Sequence, residues 1–276
     1  MKKPLLTLSA ATLLILGSCS QSTKTTETDS AIPPVEVTDT TEQTVTDTVE
    51  TPEPVKNIAF EIKKLKKKKG ENELEIEYPV SGNPAVVDSV RVWISQQLGD
   101  SYKGDLNNVN AFFKHYSALL GSEEFDEFGG YAIDKFELEF TNDYIVTYEH
   151  TVYEYEGGAH GEGGEYGTTF LQSNGKIFSK KCITSYSSLH DLFIEGLKQY
   201  FKVKTDKELL AQLNKETSLA KLSAPGMEPW VDENGVVFSY TPYEIAPYSA
   251  GSPKFTIPYS KIEPYLTEEG KLFFGK

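Results

Sequence analysis

The chain has 276 residues, 38% of them hydrophobic and 12% aromatic, and a formal net charge of −14. That length allows one sizeable domain or two small ones sharing a core. A surface this acidic disfavours nucleic acid and other polyanions and favours cationic partners. With two cysteines in all, the fold has to stand on packing rather than on a disulfide framework.

The first residues read as an export signal. Lys2 and Lys3 precede an apolar run from Leu5 to Leu16, which is too short for a permanent bilayer span. Leu16-Gly17-Ser18-Cys19 then matches a bacterial lipoprotein processing site. The expected division is a signal peptide over 1–18 and a lipidated Cys19, with the chain held at a membrane of the cell envelope. An outer membrane facing the periplasm is expected, since no acidic run follows Cys19. Several acyl chains give stable anchoring, at about 0.8 kcal/mol per buried methylene. Residues 20–56 are rich in Thr, Glu, Asp, Pro and Val with no aromatic residue. They are expected to form a disordered tether, too poor in apolar surface to offset its ordering entropy. Without Lys2, Lys3 and the eight acids and two bases of residues 19–56, the remaining chain carries −10.

From Asn57 onward, strand and helix patterns alternate. "IAFEIKKLKKKKGENELEIEYPV" predicts a β-hairpin, with Ile58, Phe60 and Ile62 in one arm and Leu74, Ile76, Tyr78 and Val80 in the other. Its lysines, Lys63, Lys64 and Lys66 to Lys69, suit a solvated edge that resists aggregation, or contact with anionic lipid headgroups. Asn83-Pro84 opens a helix carrying Val87, Val90, Ile94 and Leu98 at helical spacing. A second helix carries Val109, Phe112, Phe113, Tyr116 and Leu120. "YAIDKFELEF" and "YIVTYEHTVYEYE" predict two long strands, and "EYGTTFLQ" a third, with the glycine-rich segment "GGAHGEGGEYG" connecting the last two. "SSLHDLFIEGLKQYF" predicts a capped helix with Leu189, Leu192, Phe193 and Leu197 inward, and "DKELLAQLN" another. The C-terminal part predicts a hairpin at Glu233-Asn234-Gly235, a Pro/Tyr-rich crossing, a strand near Phe255 and a short helix from Ser260. The expected class is α+β, mainly antiparallel sheet with packed helices. Cys182 is expected to be buried as a small apolar residue.

The segment "YEYEGGAHGE", the turn "NGKIF" ahead of "LHDLF", and "GVVFSYTPYEIAPYSAGSPKFTIPY" closely resemble the domain-of-unknown-function 3298 family. "EIEYPVSG" and "VDSVRVWISQQL" are similar to its frequent companion, domain of unknown function 4163. The expected parts are therefore a 4163-like part over 57–165 and a 3298-like part over 166–276. Together they resemble the extracellular region of the anti-sigma factor RsiV and the non-catalytic region of the peptidoglycan deacetylase PdaC. The resemblance implies an α+β fold, binding of lysozyme-type hydrolases and no catalysis by these parts. Placed outside the cytoplasm by Cys19, the chain is not expected to hold a sigma factor.

Two segments are candidate ligand-binding surfaces. The first is the Gly157 to Gly167 connection, with His160, Glu162, Glu165 and Tyr166; Gly157, Gly158 and Gly161 are expected to supply positive φ or close backbone approach. The second is "YTPYEIAPYSAG", with Tyr240, Tyr243, Glu244 and Tyr248, whose rings suit protein interfaces and sugar faces alike. His115, His150, His160 and His190 lack the spacing of a zinc site, so neither metal nor cofactor is expected. The expected function is non-catalytic binding in the cell envelope, of a cationic hydrolase or of peptidoglycan. The competing reading is an envelope hydrolase using Glu162 and Glu165 as a carboxylate pair.

Overall fold

The computed structural model describes residues 58–120 and 130–276. The expected signal peptide, Cys19 and the expected tether therefore lie outside the described residues. β1 (Glu61–Lys69) and β2 (Asn72–Ser81) form the expected hairpin, and α1 (Pro84–Gln97) and α2 (Val109–Leu120) follow it. β3 (Tyr131–Thr141), β4 (Ile145–Tyr155) and β5 (Glu162–Leu171) complete a five-stranded sheet in sequence order. Every neighbouring pair is antiparallel except β2 and β3, which are parallel. A parallel pair needs a crossover connection, and α1 and α2 lie within it.

Local chemistry explains the boundaries. The Asn83 side chain accepts a hydrogen bond from the Ala85 N–H at 3.0 Å, and Pro84 occupies the first turn of α1. At the β3–β4 turn the Asn142 carboxamide oxygen accepts from the N–H groups of Tyr144 and Ile145. One face of the sheet is apolar and covered by the two helices. Ile76, Phe136, Tyr148 and Phe170 pack there with Val90, Ile94 and Phe112. Trp93 lies at the centre of this core, with its ring edge-on to Phe136, Tyr148, His150 and Phe170.

The C-terminal half builds a second core. α3 (His190–Tyr200), α4 (Asp206–Leu210), β6 (Trp230–Val231), β7 (Gly235–Ser239), β8 (Lys254–Pro258), α5 (Tyr259–Ile262) and α6 (Glu268–Leu272) surround Phe193, Leu197, Phe238, Phe255 and Ile257. The expected side-chain cap of α3 is replaced by a 3-10 turn at Ser187–Leu189, and Leu189 at the cap position makes no side-chain cap bond. α4 instead has a full capping box between Thr205 and Glu208. Cys182 is buried, and burial pushes its thiol pKa up. Among the described residues, no helix is long and apolar enough to cross a membrane.

The two halves meet through a buried polar junction. Ile145 and Leu171 of the first sheet belong to the second core, so the division expected between residues 165 and 166 falls inside β5. Val231 turns its N–H and C=O toward β4 and β5. Its N–H donates to Thr169 Oγ1 at 2.8 Å, and its carbonyl accepts from Thr147 Oγ1 at 2.7 Å. The two hydroxyls are 2.8 Å apart and fully buried. One proton arrangement satisfies all three groups: Val231 N–H to Thr169, Thr169 to Thr147, and Thr147 to the Val231 carbonyl. Beside this ring Trp230 lies on Gly167, where a β-carbon would fall 2.2 Å from the indole. Replacing Thr169 by Val keeps the volume and strands the buried Val231 N–H, whereas after Thr147→Val the Thr169 hydroxyl, 3.2 Å from the Val231 carbonyl, can still donate to it. Thr169→Val is expected to destabilise the protein by about 1–3 kcal/mol in denaturant unfolding, Thr147→Val by less, and the double variant by more than the sum, because only then is the Val231 carbonyl stranded as well.

Candidate functional site

The β4–β5 connection is a tight loop fixed by its own strand. Gly157 and Gly158 hold φ of +98° and +96°, a region L side chains rarely adopt. Gly161 has no room for a β-carbon, which would fall 2.3 Å from the Glu154 carbonyl oxygen. Tyr155 donates to the Gly158 carbonyl at 3.0 Å, and the Gly161 N–H donates to the Tyr153 hydroxyl at 3.0 Å.

The second candidate segment comes down on this loop. The Tyr248 hydroxyl donates to the Gly161 carbonyl at 2.8 Å, and its ring stacks on His160 with centroids 3.8 Å apart. His160 Nδ1 is 3.0 Å from the same carbonyl, which can only accept, so Nδ1 carries the proton. Nε2 is then free to accept from the Tyr243 hydroxyl at 2.8 Å. Tyr243 is 56% exposed and held at φ +67°, an unusual conformation for a bulky residue. His160, Tyr243 and Tyr248 thus form one cluster built from segments far apart in sequence.

Farther along β4 and β5 from the loop lies a crowded acidic patch. Lys254 reaches Glu165 at 2.8 Å and Glu149 at 3.4 Å, with its ammonium 5.9 Å from the Trp230 ring centroid. Burial lowers the Lys254 pKa, but the bond to Glu165 and the charge of Glu149 outweigh it and leave the pKa raised. Asp232 accepts from the Thr256 hydroxyl at 2.8 Å. Glu139 sits where the β3–β4 register shifts between Leu138 and Phe140. The residue is exposed, yet burial of its carboxyl and then the charges of Glu149 and Asp232 push its pKa up to about 7.

Not every residue expected at the surface reaches it. Tyr240 is fully buried, with its hydroxyl donating to the Ser223 carbonyl at 2.8 Å, so it belongs to the core rather than to a binding surface. Glu244 accepts from the N–H groups of Thr241 and Gly226, both at 2.8 Å, and so braces the turn that presents Tyr243. Glu162 and Glu165 are three positions apart on β5, and side chains alternate along a strand, so they project from opposite faces. They form no carboxylate pair. Tyr166 shares the face opposite to Glu165 and is half-buried on the side of His150.

The sequence reading passed over Tyr153, Glu139, Glu149 and Lys254. Period-two alternation in "TVYEYE" places Tyr153 and Tyr155 on one face and could have found the first. It also passed over a buried pair on the helix-covered face, His150 Nε2 to Asp134 at 2.7 Å, with the imidazole stacked on Phe136. Among the described residues no group of three or more His, Cys, Asp or Glu is arranged to hold a metal ion.

The arrangement defines an α+β protein that presents an aromatic cluster at the β4–β5 loop and an acidic patch farther along those strands. Residues 190–260, from α3 to the start of α5, match the family described as protein of unknown function (DUF3298). Tyr243 and Tyr248 lie inside the matched stretch and His160 before it. A DUF3298 family protein of Bacteroides fragilis NCTC 9343 is similar in structure, at TM-score 0.58 and 20% identity, over 79% of this chain and 97% of that one. A DUF3298 family protein of Pseudomonas aeruginosa PAO1 aligns at TM-score 0.49 and 16% identity, over 80% of this chain and 98% of that one. No curated protein matches the sequence.

The Glu139 shift carries a sign. A carboxyl whose folded pKa is raised binds its proton more tightly in the folded state, so stability falls as pH rises from about 4.5 to about 7. Glu139→Gln is expected to flatten this fall in thermal unfolding measured across that range and to raise the midpoint at pH 8. An unchanged profile would place Glu139 away from the other carboxylates.

Proposed function

We propose that this chain is a non-catalytic recognition module of the cell envelope, held at a membrane by lipid on Cys19. In this reading it binds a cationic protein, lysozyme-type hydrolases first, through His160, Tyr243 and Tyr248. The observation that carries the reading is Tyr243. A bulky side chain at positive φ costs about 1 kcal/mol or more, and here the ring is kept exposed with its hydroxyl on His160. Strain of this kind is characteristic of functional positions, where a side chain is held in place for a partner.

Charge supports a cationic ligand. Glu139, Glu149, Glu165 and Asp232 act on one another beside a single lysine, Lys254, and the chain as a whole is acidic. A basic protein would relieve that crowding and would be steered to the surface, with salt slowing association more than it speeds dissociation. The tyrosines also suit sugar rings, but peptidoglycan is partly anionic and gains nothing from the acidic patch. A hydrolase built on Glu162 and Glu165 lacks the facing geometry that glycosidic cleavage requires.

Two measurements test the reading. Calorimetric titration of the full chain, made without lipid by Cys19→Ala, with lysozyme at about physiological salt is expected to show binding. Tyr243→Gly, which relieves the backbone, is expected to leave the unfolding midpoint nearly unchanged and to weaken binding at least tenfold. Binding that ignores Tyr243 and Tyr248, or no binding beside clear retention on peptidoglycan, would move the glycan reading forward. Separately, cell fractionation is expected to find the native chain in membranes and the Cys19→Ala chain released from them.

A further inference from the structure

The sheet order places a second charged feature at the end farthest from the cluster. β1 is an edge strand, and six of its nine residues are lysines, Lys63, Lys64 and Lys66 to Lys69. Lys64 pairs with Glu77, and Lys66 with Glu75 and Glu73 across the hairpin. Glu73 is also within reach of Lys135 on β3. Lys63, Lys67 and Lys68 are exposed and form no ion pair among the described residues, with Lys63 opposite Tyr78, Lys67 opposite Leu74 and Lys68 opposite Glu73.

A single inward or edge charge suffices to block strand addition. Six lysines in one strand repel one another, and Lys63 and Lys67 have no acid opposite them in the hairpin, in a chain of net charge −14. That surplus fits an anionic partner. β1 is also the first described element after Cys19, so whatever holds Cys19 at a membrane holds this strand nearest to it along the chain. Neighbouring strands are about 4.8 Å apart, which sets β1 roughly 19 Å from β5 across the sheet. The His160 loop and the half that carries Tyr243 and Tyr248 attach at the β4 and β5 end.

We propose that the lysine edge of β1 docks on the anionic headgroups of a lipid bilayer, so that the His160–Tyr243–Tyr248 cluster faces away from the membrane. The acidic groups on β4, β5 and the second half do not prevent this, because charges beyond a Debye length of about 8 Å are screened at physiological salt, and Glu73, Glu75 and Glu77 on the adjoining strand are taken up by Lys64, Lys66 and Lys135. The orientation rests on the membrane placement proposed above, whereas the docking itself is tested without it.

The full Cys19→Ala chain is mixed with vesicles of phosphatidylcholine alone or with added phosphatidylglycerol, and bound protein is read by co-sedimentation. Binding is expected only to the anionic vesicles, lost at high salt, and weakened at least tenfold by Lys63→Gln with Lys67→Gln and Lys68→Gln. These changes are fully exposed, and an unchanged thermal midpoint confirms that the variant is folded. A fluorophore at Glu71→Cys, in the β1–β2 turn, is expected to be quenched by headgroup-labelled lipid more strongly than one at Ala159→Cys. Equal binding to both vesicle types, unchanged binding by the triple variant, the reverse quenching order, or binding to inorganic polyphosphate but not to vesicles would each overturn the proposal. Because Cys19 is absent from the assay, such a failure would leave the lipid-anchor reading to be judged by fractionation alone.

Discussion

The ring of Thr147, Thr169 and Val231 is the constraint on which the rest of the arrangement depends. β6 is only two residues long and cannot offer β5 a backbone ladder. Two threonine hydroxyls on neighbouring strands supply the missing partners in a site sealed from water. An unpaired peptide group there would cost about as much as one such bond contributes several times over, so the junction admits few alternative positions. Gly167 completes it by leaving space for the Trp230 ring. With β6 fixed, β7 and β8 follow by pairing, and the turn after β7 comes down on the β4–β5 loop.

The cluster is therefore a product of packing at a distance. His160 has little of its own to hold it, sitting on a loop whose glycines have left-handed backbone. It is fixed by Tyr248 beneath and Tyr243 beside it, and the turn that carries Tyr243 is braced by Glu244, which gathers the N–H groups of Thr241 and Gly226. The acidic groups show the same division of labour. Lys254 neutralises part of the charge of Glu149 and Glu165 and draws them toward β8, while Glu139 is left with a carboxyl that gives up its proton reluctantly. A surface assembled from both halves can be lost by loosening either one.

Much of the frame was legible in the sequence, because its signals are local. Alternation gave β1 to β5, Asn83-Pro84 marked the start of α1, and the glycine turns placed the hairpins. The loop and the tyrosine crossing were also legible as separate segments. Their contact was not, since nothing local in "YTPYEIAPYSAG" says that Tyr243 and Tyr248 close on a histidine more than eighty positions earlier. The same limit explains Tyr240, which looks like its neighbours in sequence and is buried because it directly follows β7 over the second core. Glu162 and Glu165 failed as a pair for a local reason that strand periodicity could have supplied once β5 was extended to Glu162. Trp93 and the Asp134–His150 pair needed the sheet and helix to be docked before their roles were visible.

The central claim is that recognition occurs on the surface where the two halves meet. Backbone amide hydrogen exchange of the chain with and without bound lysozyme tests this most directly. The account predicts new protection over residues 156–161 and 241–250, with the helix-covered face of the sheet unchanged. Protection confined to α1, α2 or the β1 edge, with those two segments exchanging as in the free protein, would contradict it.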